Sequence, residues 1–171
     1  MYYHLKRLNA SRKALGFHTP LTLELHPPKH GLYRCRLIYE EGLEKIEYLP
    51  YIMKLPTSFK LIHSNISYDL KYEDRTSLNN LLKEKNKADE IIIIKQGLIS
   101  DTSIANLCFY DGNKWLTPKT PLLKGTTRQR LLDENKIHLC DISYKDIHKF
   151  SKIAVINAMI GFQIIENAII L

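Results

Sequence analysis

The sequence predicts an α+β fold whose second part is dominated by strands, and three observations lead there. Ile91-Ile92-Ile93-Ile94 is an unbroken β-branched run, too short for a helix and suited to a fully buried strand. Glu41-Gly42 and Asp111-Gly112 each divide two runs of mixed apolar and polar residues, a hairpin signal. Leucines at helical spacing stand between capping residues and stop signals.

In chain order, Tyr2 to Leu15 predicts a helix with Leu5, Leu8 and Leu15 toward one side, stopped by Gly16, and with His4 and Arg7 on a common face. Pro20, Pro27 and Pro28 break regularity after it. Leu32 to Glu40 and Leu43 to Leu49 form the first hairpin, and Phe59 to His63 a short strand. Ser64 to Asp74 is polar and irregular, so the boundary between two lobes is expected there: a small α/β lobe over 1–64 and a larger one over 65–171. Asp74 would cap a helix from Arg75 to Asn86, with Leu78, Leu81 and Leu82 at helical spacing. Glu90 to Lys95 is the buried strand, and Ile104 to Tyr110 with Lys114 to Thr117 the second hairpin. Thr126 or Thr127 would cap a helix reaching about Glu134, and Ser143 to Asp146 resembles a capping box. Lys152 to Ile156 and Phe162 to Ile170 close the chain as strands.

The 171 residues are 44% hydrophobic and 25% charged, ordinary values for a folded chain. Lys+Arg exceed Asp+Glu by 25 − 18 = 7, so the surface should attract anions. No interleaving of basic and aromatic residues supports a nucleic-acid partner. The apolar tail Ile153 to Leu171 is interrupted by Asn157, Gln163, Glu166 and Asn167 and reads as strands, so no membrane partner is expected. Met1 to Leu23 carries no acidic residue, faintly like an organelle transit peptide, but a plain first helix explains it better. Cys35, Cys108 and Cys140 are an odd number without CxxC spacing, which suits reduced thiols in a cytoplasmic protein. The seven histidines lack metal-ligand spacing, so no metal is expected.

P-loop, GxGxxG, GxSxG and HExxH motifs are absent. One segment carries chemistry of its own. Leu123-Lys124-Gly125-Thr126-Thr127-Arg128 precedes a helix, where free N–H groups and hydroxyls could cradle a phosphate. An ordinary threonine N-cap after a glycine turn is the alternative reading.

The order of features is more specific. Leu70-Lys71 comes first, then Ala88-Asp89-Glu90 before the apolar strand, Gly97-Leu98-Ile99-Ser100-Asp101 and Ala105-Asn106-Leu107. Asp111-Gly112, Trp115-Leu116-Thr117-Pro118, the Gly125 segment and Ile156-Asn157-Ala158-Met159 follow. Upstream stand His4-Leu5-Lys6-Arg7-Leu8 and Ala10-Ser11. This succession resembles the class IV aminotransferases, which include branched-chain and D-amino-acid aminotransferases and aminodeoxychorismate lyase.

The resemblance implies fold type IV, with a small α/β lobe and a larger, strand-rich pseudo-barrel lobe. It implies pyridoxal 5′-phosphate as cofactor, a small-molecule amino substrate and a homodimer. Lys71 would be the catalytic lysine, bonding the cofactor and shuttling the α-proton. Asp101 stands where the family usually has Glu and would partner the pyridine nitrogen. Arg7, Gly125, Thr126 and Thr127 would hold the phosphate, with Ala158 and Met159 bordering the site. Because the family has strands before its early helix, either the given start is late or the small lobe is reduced. The longer basic loop that holds a substrate carboxylate in several members is not recognisable. Arg34 and Arg36, alternate on one strand face, are candidates for that task, or plain surface arginines. Asn157-Ala158-Met159 and the Lys71-to-Arg75 spacing lean toward aminodeoxychorismate lyase and 4-aminobenzoate formation. An amino-acid aminotransferase and an inactive or truncated paralogue are the alternatives.

Overall fold

A computed structural model describes residues 1–171, and the chain divides into two units between Lys54 and Leu55. The expected boundary at 64 is displaced because the strand Ser58–His63 pairs, in parallel, with Glu90–Lys95 and so belongs to the second unit.

In the first unit, helix α1 (Tyr2–Ala14) precedes a hairpin of β1 (Tyr33–Tyr39) and β2 (Leu43–Pro50). Gly16 ends α1 as expected. It takes φ +86°, and the N–H groups of Gly16 and Phe17 donate back to the Lys13 and Arg12 carbonyls. The buried face of α1 is Leu8, Ser11 and Arg12, spaced i, i+3, i+4, while Leu5 and Leu15 are exposed, contrary to the leucine face expected. Arg12 is 3% exposed and reaches three carbonyls: Thr19, Glu40 at 3.3 Å and Glu41 at 2.6 Å. It thereby pins the proline-rich connector and the hairpin turn to the helix. A charged donor with several carbonyl acceptors is among the stronger protein hydrogen-bond arrangements.

The second unit contains two sheets. One has strand order β11 (Ile169–Ile170), β3 (Ser58–His63), β4 (Glu90–Lys95), β5 (Leu98–Ile99), parallel except for β5. The other has order β10 (Gly161–Ile165), β9 (Lys152–Asn157), β6 (Asn106–Tyr110), β7 (Trp115–Pro118), β8 (His138–Cys140), antiparallel except for β7 with β8. Parallel pairing of β3 and β4 requires a crossover. It runs through an irregular segment and helix α2 (Thr76–Lys83). Ile91 and Ile93 pack with Leu78 of α2, while Ile92 and Ile94 point to the other face and are also buried. Helix α3 (Thr126–Asp133) packs Leu131 on Cys108, Ala154 and Ile156 of the second sheet.

The Ser143 capping residue is present: its hydroxyl accepts from Lys145 N–H at 3.3 Å and opens a short 3₁₀ turn. The last expected strand is split. A turn with Asn167 at φ +53° sends β11 to the first sheet, where it lies beside β3. No helix is long and apolar enough to cross a membrane.

Replacing Arg12 with Met keeps the stem and removes all three bonds to carbonyls. The expected loss is about 2–4 kcal/mol of stability, read from urea unfolding, with Arg12→Lys recovering only part because an ammonium lacks the fork. Equal midpoints for Arg12→Met and the parent would show that these bonds hold nothing.

Candidate active site

The chain leaves the first sheet after β5 and enters the second at β6 through the turn Asp101–Asn106, whose ends bridge one another. Asp101 is anchored from its backbone, since its carbonyl accepts from Ile93 N–H of β4 at 2.8 Å. The side chain is buried, 3% exposed. Its Oδ1 accepts from Asn106 Nδ2 at 2.7 Å, and its Oδ2 from Leu123 N–H at 2.8 Å. Burial pushes the Asp101 carboxyl up to about 6, while the Asn106 and Leu123 bonds and the nearby Arg128 charge pull the other way.

The same turn receives the other segments of the second unit that the sequence singles out. Arg75 donates from Nη2 to the Ser103 carbonyl at 2.7 Å, tying down the far end of the Lys71 loop. The near end is held by Lys95 Nζ on the Ile66 carbonyl at 2.8 Å, and Tyr68 OH donates to the Tyr72 carbonyl at 2.7 Å across the loop. Lys71 lies exposed on this loop. A half-open cleft of about 340 Å³ lies alongside, lined by Ser67–Tyr68 and Tyr72–Arg75 with the start of α2. Asp74 accepts from Thr76 N–H at 2.8 Å, but from one position before the cap, which is Arg75.

Asn157 carries the second connection. Its Nδ2 donates to the Ile104 carbonyl at 3.3 Å, and its Oδ1 accepts from Met159 and Ile160 N–H at 2.8 and 3.0 Å. Ala158 and Met159 thus sit on a turn tied to the Asp101–Asn106 turn. The third connection is Leu123, two residues before Gly125.

At α3 the threonine cap does not form. The preceding residue is Gly125, with φ −67° and ψ 145°, and no side chain caps the helix. The first intrahelical bond runs from Gln129 N–H to the Gly125 carbonyl at 2.9 Å, so the amides of Thr126, Thr127 and Arg128 have no acceptor within the helix. Thr126 and Thr127 are each 7% exposed. Gly125 is required by proximity, because a Cβ there would stand 2.0 Å from Asn106 Oδ1. Arg128 is buried and donates to the Pro118 carbonyl at 2.7 Å, while its Nε has no partner.

Arg7, Arg34 and Arg36 belong to the first unit. Arg7 is half-buried on α1. Arg34 and Arg36 alternate along β1, and Arg36 faces its cross-strand partner Glu47 at 3.3 Å. Lys45, 2.7 Å away, is the main cause that holds the Glu47 carboxyl below its usual range.

Two further groups join the site without having been singled out as site residues. Glu90 is buried, with Oε2 accepting from Ser103 Oγ at 2.8 Å and Oε1 from Ile91 N–H at 2.8 Å. Burial raises its carboxyl above the usual range against those bonds. Asn106 is 5% exposed and joins Asp101 to the Leu123 carbonyl. Its one sequence signal was its place in the Ala105-Asn106-Leu107 segment of the family pattern.

The family model for class IV amino-transferases matches residues 71–168. The chain belongs to the class IV aminotransferase family. A Haemophilus influenzae relative, "Uncharacterized protein", is 45% identical over 136 residues, covering 79% of this chain and 72% of its own. A Schizosaccharomyces pombe relative, "Putative aminodeoxychorismate lyase", is 27% identical over 160 residues, covering 79% of this chain and 68% of its own. A crystal structure of a "putative 4-amino-4-deoxychorismate lyase" from Haemophilus somnus superposes with a TM-score of 0.84 at 38% identity, covering 94% of this chain and 89% of that one. The two-unit α+β architecture is that of fold type IV, and members of this family depend on pyridoxal phosphate.

Asp101 gives the site a pH signature in stability. Its carboxyl titrates near 6 in the folded chain against an ordinary 3.8. Between those values the folded state holds a proton that the unfolded state has lost. This contribution to stability is therefore complete below pH 3.8, falls by about 3 kcal/mol as the pH rises toward 6, and is flat above. Asp101→Asn does not titrate. The difference in urea-unfolding free energy between parent and Asp101→Asn should change by that amount across this window, and a constant difference would place the carboxyl in a wetter setting.

Proposed function

We propose that this protein is a pyridoxal phosphate-dependent enzyme acting at the α-carbon of an amino substrate, and within the family a 4-amino-4-deoxychorismate lyase. One observation carries the reading: Lys71's loop, the Leu123–Thr127 segment and the Ala158–Met159 turn all bond to the one turn that holds Asp101. The likeness to the Haemophilus somnus and Schizosaccharomyces pombe proteins supports the lyase branch.

The residues fit the cofactor by their chemistry. The cofactor phosphate is a dianion, and uncapped amides with two threonine hydroxyls at the start of α3 suit one. A protonated pyridine nitrogen needs a carboxylate, and the Asp101 carboxylate, held by Asn106 Nδ2 and the amides of Leu123 and Leu122, keeps room to accept one more donor. When bound, the cofactor supplies an electron sink for carbanion chemistry. Lys71 is then the base that takes the proton from the substrate α-carbon and the acid that returns one. Asp101 holds negative charge at the far end of the site. Gly125, Thr126 and Thr127 orient the phosphate. Ala158 and Met159 form a wall. Arg34 and Arg36 are the candidates for a substrate carboxylate.

Three experiments test this. Borohydride reduction of the protein loaded with pyridoxal phosphate should fix the label on the peptide containing Lys71; label confined to Lys83 or Lys95 would sink the assignment. Pyruvate release from aminodeoxychorismate identifies the lyase, and its absence together with turnover of an amino acid would identify an aminotransferase instead. Asp101→Asn should keep the cofactor and lose roughly two to four powers of ten in turnover, about 3–5 kcal/mol of barrier. Parent-like turnover would mean that the carboxylate serves only the turn.

A further inference from the structure

Asn106 bonds to Asp101 and lies against Gly125, and both donor positions of its amide are committed. Nδ2 donates to Asp101 Oδ1 at 2.7 Å and to the Leu123 carbonyl at 2.8 Å. Two oxygen acceptors fix which end of the amide is nitrogen. Asp101 Oδ2 accepts from the N–H of the same Leu123 at 2.8 Å. The N–H and the C=O of one loop residue are thus gripped by two side chains that also grip each other. The remaining atom, Oδ1, faces Gly125, where a Cβ would come within 2.0 Å of it. Helix α3 begins at the next residue, so the direction of its first amides follows from how Leu123 to Gly125 lie on Asn106.

We propose that Asn106 is a positioning residue for the phosphate end of the site, aiming the Gly125–Thr127 turn and setting affinity for a phosphate group that it does not touch. The inference rests on the reading of that turn as the phosphate site. A neutral amide suits the place, because it can donate both to a carboxylate and to a carbonyl. A carboxylate there would set like charges against each other beside Asp101.

The test compares pyridoxal 5′-phosphate with pyridoxal, which lacks the phosphate, by absorbance titration of the full-length protein. The parent should prefer the phosphorylated ligand strongly. Asn106→Ala should lose about ten- to thirtyfold of the parent's preference for pyridoxal 5′-phosphate over pyridoxal, a hydrogen bond or so of orientation. Asn106→Asp keeps the shape and supplies a second reading if Asn106→Ala fails to fold. Relative to the parent at the same pH, its preference for the phosphorylated ligand should be near normal at about pH 5, where the two carboxyls share a proton, and lost by about pH 8. Equal weakening of both ligands, an unchanged preference in Asn106→Ala, or a pH-independent Asn106→Asp would overturn the proposal and leave the cofactor reading standing. A parent that binds both ligands equally would overturn the phosphate reading itself, and this inference with it.

Discussion

An ionisable carboxyl with 3% of its residue surface exposed has to be satisfied by donors or it destabilises the fold by several kcal/mol, and at Asp101 those donors come from separate parts of the chain. Asn106 opens β6, and Leu123 lies in the loop before α3. Arg128 on α3 adds a nearby positive charge. The backbone of Asp101 meanwhile closes onto β4. Meeting the needs of this one group joins the two sheets of the second unit where the chain passes between them. The geometry of the candidate site follows from that junction.

The parallel pairing of β3 with β4 imposes a second constraint. The chain must return to the start of the sheet before it can run parallel, and Lys71 lies on the return. A loop in that position is usually the loosest part of an α/β unit. Here Lys95 holds its first part and Arg75 its last, through carbonyls rather than side-chain pairs. The loop is fixed at both ends while Lys71 stays exposed between them, an arrangement that suits a lysine which must bond and release a ligand.

The elements legible in the sequence were those with a local signature. The isoleucine run, the two hairpin turns and the Gly16 stop depend on residues within one or two turns of each other, and each stands where expected. Strands β5 and β8, of two and three residues, carry too little pattern to be read. The unit boundary shifted because Ser58–His63 finds its partner across the whole α2 crossover, a pairing that no local period announces. Arg12 was indistinguishable from the other basic residues of α1, since its acceptors are backbone carbonyls, and backbone carbonyls leave no mark on a sequence. In the candidate site, Arg75, Leu123 and Asn157, sequence neighbours of the singled-out residues, bond to the one turn that carries Asp101. Asn106 and Glu90, which hold that turn, were visible only as parts of a family pattern, because the partners that bury them, Leu123 and Ser103, are distant in sequence.

Aspartate at position 101 bears on how one carboxylate serves as both strut and proposed charge partner. From this backbone position its short side chain places Oδ1 and Oδ2 at 2.7 and 2.8 Å from their two donors. With the Leu122 amide as a third donor, about three of the four sites at which a carboxylate accepts are used. The negative charge is therefore held in place without being neutralised, and burial makes that charge costly until a cation stands beside it. The buried strut thus favours a positively charged group at the site more strongly than an exposed carboxylate would. Fold and proposed chemistry then draw on the same electrostatic fact: the interaction that fastens β6 to the loop before α3 also leaves an unspent demand for positive charge.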